Sequence, residues 1–213
     1  MILLNSFLSG TVDTLAGLLV MSLPNLERLE FIPPEGYQAM EDPKGFFMES
    51  IIRCANRQRP FDMAPRLTRL SSVTTSWWDN DPRKGYGAEQ INHFLKFPSM
   101  QRICAHQMVH FALDQDEWNY PRQSPVTHIE LYNSAAGINT LVESCKVLKS
   151  FVYQHNDSDD EPDRPSEIWT ALLPFQDTLE TLRLDFLPNP TAYGIFGSLA
   201  DFTALKHLHI DMP

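Results

Sequence analysis

The chain has 213 residues, 43% of them hydrophobic and 21% charged, with a formal net charge of −10. That suits one globular domain with a substantial core, and the acidic balance disfavours general binding to nucleic acid or anionic membranes. No apolar run reaches the roughly 18 to 20 residues that span a bilayer.

The start, MILLNSFLSG, has no basic residue before Arg28, so it reads as part of the fold rather than a secretory signal. In chain order, helical patterns then alternate with a short strand motif. TVDTLAGLLVM (11–21) leads into LERLEF (26–31), GFFMESIIRCA (45–55) into LTRLSS (67–72), and AEQINHFL (88–95) into MQRICA (100–105). VTHIEL (126–131) comes next without a clear helix before it. AAGINTLVESC (135–145) precedes LKSFVY (148–153), PSEIWTALLPF (165–175) precedes LETLRL (179–184), and TAYGIFGSLADF (191–202) precedes LKHLHI (205–210). Ser166 is the expected N-cap of its helix. Pro24 and Pro98, in the paired phrases LPNLERLEF and FPSMQRICA, each stop a helix and set up an extended approach to a strand.

Each motif sets apolar residues at i, i+3 and i+5. Neither a helix, with steps of three and four, nor a half-buried strand, with steps of two, wants that spacing. A turn that tucks in one residue, followed by a strand that buries alternate ones, does. The starts are separated by 41, 33, 26, 22, 31 and 26 residues, irregular but near the repeat length of leucine-rich repeats. Chance alone would supply about six such matches, so the weight rests on the setting: helix, tight turn, short strand, loop, which is one turn of a solenoid.

LPNLERLEF, FPSMQRICA, TLETLRLDF and ALKHLHIDM together resemble the irregular leucine-rich repeats of fungal F-box-type proteins. The resemblance runs from about Leu23 onward and implies repeats that select a substrate for a cullin ubiquitin ligase, with an F-box helix docking a Skp1-like adaptor. No F-box segment precedes the repeats here, so the adaptor would need one elsewhere in a longer protein. Where the template has Asn or Cys this sequence has Pro34, Leu187 and Pro213, so no asparagine ladder is expected.

The expected fold class is α/β: one domain over 1–213, an irregular leucine-rich-repeat-like solenoid. About seven short parallel strands would line the concave side and helices the convex side. The core would take Leu29/Phe31, Ile103/Ala105, Ile129/Leu131, Leu182/Leu184 and Leu208/Ile210, and the intervening residues would face the concave surface. One row across the rungs is then Arg28, Arg69, Arg102, His128, Ser150, Thr181 and His207. The next is Glu30, Ser71, Cys104, Glu130, Val152, Arg183 and His209, and the last runs from Ile32 and Val73 through His106, Tyr132, Gln154 and Asp185 to Asp211. Like charges about 4.8 Å apart repel, so an acidic or phosphorylated peptide is the expected partner. The expected contact residues are Arg28, Arg69, Arg102, His128, Tyr132, Arg183 and His209. The alternative is a solvated face relieved by Glu27, Glu30 and Glu130.

Other motifs carry less. Cys104, His106 and His110 suggest zinc but give too few converging ligands. NDSDDEPDRP (156–165) lacks the glycine and glutamate of a calcium loop, and SWWDNDPRKGYG (76–87) reads as a loop whose Trp77 and Trp78 face opposite sides. With no phosphate loop, nucleophile elbow or paired CxxC, no catalytic residue, metal or cofactor is expected. A free-standing repeat scaffold is the alternative function, and an unrecognised enzyme the weaker class. Three widely spaced cysteines, Cys54, Cys104 and Cys145, fit a reducing cytoplasm or nucleus.

Overall fold

A computed structural model of the chain describes residues 5–32, 45–76, 86–109, 122–134, 138–155, 165–186 and 196–211. Its elements are α1 (Asn5–Ser22), β1 (Arg28–Phe31), α2 (Phe46–Ala55), β2 (Ser72–Thr75), β3 (Tyr86–Gly87) and α3 (Ala88–Asn92). They continue with β4 (Arg102–His106), β5 (Met108–Val109), β6 (His128–Tyr132), α4 (Ile138–Ser144), β7 (Ser150–His155), α5 (Pro165–Leu172), β8 (Thr181–Phe186) and β9 (His207–Asp211). Short 3-10 turns extend α3 over His93–Lys96 and α5 over Leu173–Phe175.

Seven strands form one sheet in the order β1-β2-β4-β6-β7-β8-β9, and every pairing is parallel. The expected seven-rung α/β solenoid is therefore present. The i, i+3, i+5 pattern explains how one rung is laid on the next. The residue at i closes a tight turn, its N–H donating three residues back: Leu26 to Leu23, Leu70 to Leu67, Met100 to Phe97 and Leu205 to Phe202. The next two N–H groups then share one carbonyl of the rung before. Ser71 and Ser72 donate to the Glu27 carbonyl, Gln101 and Arg102 to that of Ser71, and Lys206 and His207 to that of Glu180. The junction satisfies the turn's backbone donors as it sets the register.

Residues at i+3 line up as Leu29, Val73, Ile103, Ile129, Phe151, Leu182 and Leu208. All but the last are buried, and they join helix residues such as Ile51, Ile91, Leu141 and Leu172 in one core. The helices thus cover one face of the sheet and leave the other open.

Four expectations change. The second strand is 72–75, not 67–72, so Val73 and Thr75 face the core where Leu70 and Ser72 were expected. Its turn also carries leucines three apart, Leu67 and Leu70, which repeats the motif's first step and displaces it by three residues. Thr75 is fully buried and its Oγ1 has no hydrogen-bond partner. Thr75→Val should therefore stabilise the domain by about 1 kcal/mol, read as a rise in the urea midpoint, whereas the displaced register would leave this position exposed and neutral.

The helix expected over 191–202 is absent from its described part, 196–202. Gly197 lies flat on the Trp169 indole, where an added Cβ would come within 2.2 Å of the ring, and Trp169 Nε1–H donates to the Ser198 carbonyl at 3.3 Å. The close approach needs a residue without a Cβ. Gly197→Ala should cost about 1 to 3 kcal/mol, with a shift in tryptophan fluorescence reporting displacement of Trp169.

Ser166 is the second residue of α5 rather than its N-cap, because Pro165 occupies the first helical position, where its missing N–H costs nothing. Finally, Leu208 and Ile210 are 53% and 37% exposed rather than core. Trp77, Trp78 and His110 lie outside the described residues, as do 156–164 of the acidic stretch. No described helix is long and apolar enough to cross a membrane.

Candidate functional site: the open face of the sheet

Parallel register sorts the open-face side chains into rows. The first row is Arg28, Ser72, Arg102, His128, Ser150, Thr181 and His207. Arg69 is not in it. It sits three residues before β2, with its guanidinium 2.6 Å from Glu27 and 3.2 Å from the Asn25 amide oxygen. Ser72 takes the place expected for Arg69, so Arg28 and Arg102 are two strands apart, roughly 10 Å at strand spacing. The corrected row holds only arginine, histidine and hydroxyl side chains. It contains no carboxylate, although the chain carries 27 acidic residues against 17 basic.

The second row is Glu30, Thr74, Cys104, Glu130, Val152, Arg183 and His209. Here Ser71 gives way to Thr74 by the same displacement. Arg183 and His209 are register partners. The third row, followed from β4, is His106, Tyr132, Gln154, Asp185 and Asp211. The face is thus polarised along the strands: donors at their starts, acids toward their ends on β8 and β9.

The sheet brings one group into direct contact. Arg102 reaches both oxygens of Glu130, at 2.7 and 2.8 Å. That hydrogen bond raises the Arg102 pKa further above its ordinary value, against the opposing effect of burial. The Tyr132 hydroxyl donates to the same carboxylate at 3.5 Å, and its ring stacks on His106 with centroids 4.7 Å apart. Burial lowers the His106 pKa, with Glu130 and Glu30 opposing. Cys104 lies beneath, its Sγ 3.9 Å from His106 Nε2. Among the described residues no three His, Cys, Asp or Glu side chains converge as metal ligands.

Arg183 pairs more loosely with Asp185, at 3.5 Å, and no carboxylate among the described residues pairs with Arg28. Of the expected contact residues, Arg102 and Tyr132 share the Glu130 cluster, His128 adjoins Arg102, and Arg183 adjoins His209. Arg28 stands apart at the first rung. Ser72 was hidden from sequence reasoning by the displaced motif. The stack of His106 on Tyr132 was within reach, because both occupy the sixth position after their turn residue.

A family model described as a leucine-rich repeat domain matches residues 3–212. The chain belongs to the leucine-rich repeat family. No curated protein and no solved structure matched it.

Leucine-rich repeat domains act as protein-interaction modules, and in this one Cys54 and Cys145 belong to the core while Cys104 lies in the open-face row. All three cysteines are buried and unpaired. Burial pushes Cys145 up to about 12, and burial with help from Glu130 pushes Cys104 up to about 11. The fold favours the protonated thiol, so this contribution is intact below the ordinary thiol pKa of 9.0 and is lost as pH rises toward about 12. Unfolding free energy should fall by about 1.4 kcal/mol per pH unit above pH 9 for a thiol as buried as Cys145. Cys145→Ala should flatten that slope in urea titrations. A slope unchanged by the substitution would assign the alkaline loss to other groups.

Proposed function

We propose that this leucine-rich repeat domain, folding as one unit over 1–213, binds an acidic or phosphorylated protein segment across the first row of its open face. The observation that carries the reading is the row's composition: seven aligned positions of donors without one carboxylate. Guanidinium forks match carboxylate and phosphate oxygens, and the hydroxyls of Ser72, Ser150 and Thr181 add neutral donors between them. Arg28 and Arg102 are the anchors, and His128, Tyr132, Arg183 and His209 complete the contact surface. The spacing of the two arginines suits a segment in polyproline II conformation. Such a chain presents every third residue on one face at about 9.3 Å intervals, so acids at i and i+3 would meet both arginines.

The reading is of a binding module, not an enzyme, without metal or cofactor. Three unpaired cysteines favour a cytoplasmic or nuclear setting. Within that setting we place the domain as the substrate-recognition part of an F-box-type ubiquitin ligase, which rests on the family resemblance of its repeat phrases. Affinity capture with the longest natural form of the protein, beside its Arg28→Glu/Arg102→Glu variant, tests both levels. Recovery of a Skp1-like adaptor and a cullin with both baits would support the ligase role, and a further protein lost only with the variant would be the substrate. Partners captured with no ligase subunit would instead make the domain a free-standing scaffold.

A further inference from the structure

A cleft of about 330 Å³ lies among the segments that lead into β4, β6 and β7, in the middle of the solenoid. Leu95, Pro98 and Pro125 give it apolar walls. Gln123 and Ser124 supply neutral donors and Lys96 and Lys146 positive charge, with no carboxylate among the lining residues. Backbone hydrogen bonds hold this arrangement in place. The Arg122 N–H donates to the Glu143 carbonyl and the Ser124 N–H to that of Ser144, each at 2.8 Å, and the Ser124 carbonyl accepts the Lys146 N–H at 3.0 Å. The lacing ties residues 122–124 to the end of α4 and fixes Gln123, Ser124 and Lys146 relative to one another. On the facing wall, Lys96 closes the 3-10 turn after α3 and donates to the Asn56 amide oxygen at 2.7 Å, which positions its ammonium.

Two of the polar groups have capacity left over. Ser124 is 3% exposed, and its Oγ accepts the Val126 N–H at 3.3 Å, while its own proton meets no acceptor among the described residues. A buried donor in that state favours a ligand oxygen that would satisfy it. Lys146 makes no ion pair among the described residues, although acidic residues outnumber basic ones in the chain by 27 to 17. Small-molecule sites have volumes of about 300 to 1,000 Å³, with apolar walls and a few converging polar groups, and this cleft matches the lower end of that range. We propose that it binds a small molecule with an anionic head, carboxylate or phosphate, on an apolar body. The head pairs with Lys146 and accepts hydrogen bonds from Ser124 and Gln123, and the body lies against Leu95, Pro98 and Pro125. Lysine serves either head, because an ammonium is a point charge without the planar fork of arginine. None of the lining residues belongs to the first row of the open face, so this site stands or falls apart from the peptide-binding reading.

Backbone-amide NMR of the full chain, titrated separately with benzoate, phenyl phosphate and neutral benzamide, tests this. At least one of the two anions should shift the amides of Leu95, Lys96, Gln123, Ser124 and Lys146 saturably, with a Kd of about 1 mM for so small a ligand. The tighter of the two anions identifies the head group. Benzamide has the same ring without the charge and should bind at least about tenfold more weakly. Lys146→Gln changes an exposed side chain, and its spectrum away from the cleft should match wild type. It should weaken the anion about fivefold. Shifts that never saturate, that fall outside the cleft or that benzamide reproduces equally would overturn the proposal. So would an anion affinity that Lys146→Gln leaves unchanged.

Discussion

Leu182→Ala should cost this leucine-rich repeat domain about 2 to 5 kcal/mol, while Leu208→Ala, one rung away, should cost less than about 1 kcal/mol. The residue type is the same, and the two leucines are register partners. What differs is cover. Leu182 is fully buried between Phe151 and Leu208, under the helix layer, and Leu208 is 53% exposed. Removing buried methyl groups forfeits transfer free energy and leaves a cavity, whereas an exposed leucine has little of either to lose. For a domain of this size each kcal/mol moves the melting temperature by about 2 to 4 °C, so the variants should separate clearly in a thermal scan at low concentration. Equal losses would mean that β9 is covered in solution.

Charge reversal at Arg28 and Arg102 should weaken binding of an acidic segment by about 100-fold or more, while Arg69→Glu should change it by less than about twofold. Removing one partner of a hydrogen-bonded charge pair in an interface costs about 2 to 5 kcal/mol. Arg69 lies outside the row, and its exposed pair with Glu27 is of the kind worth 0 to 1 kcal/mol. A suitable probe is a labelled, proline-rich peptide carrying phosphoserine at i and i+3. In the charge-reversed variant Glu130 would face a new carboxylate, so Arg28→Ser/Arg102→Ser provides the neutral comparison, with a smaller loss of about tenfold. Binding to wild type should also fall with added salt, since the contact is electrostatic and near the surface. Equal affinity for Arg69→Glu, Arg28→Glu/Arg102→Glu and wild type would remove the row from the account.

Much of this architecture was legible because the repeat phrase encodes both turn and strand. Leu179, Leu182 and Leu184 each do a different job, and their uneven spacing marks the change from turn to strand. Where that spacing was ambiguous, the reading slipped. Leu67 and Leu70 reproduce the first step of the motif within the turn itself, and Ser71 and Ser72 lead into β2 without an apolar signal. The slip moved one arginine onto a row that it does not share. The stretch 191–202 shows helical periodicity, but at Gly197 contact with the Trp169 ring overrides local preference, a tertiary effect that no window of sequence contains. β3 and β5 are two residues each, too short to leave any periodicity. The open-face cluster was half legible. Register predicted which residues are neighbours, but the Arg102–Glu130 pair and the ring stack depend on side-chain reach across strands.

The central claim is that the open face, rather than the helix face, meets the partner. A photo-crosslinking residue placed at Ser150, in the middle of the first row, tests it against one placed at Glu143, exposed on α4. With acidic peptide bound, the account predicts a crosslinked product from position 150 and none from 143. Crosslinking from 143 alone would contradict it and move the binding surface to the helices.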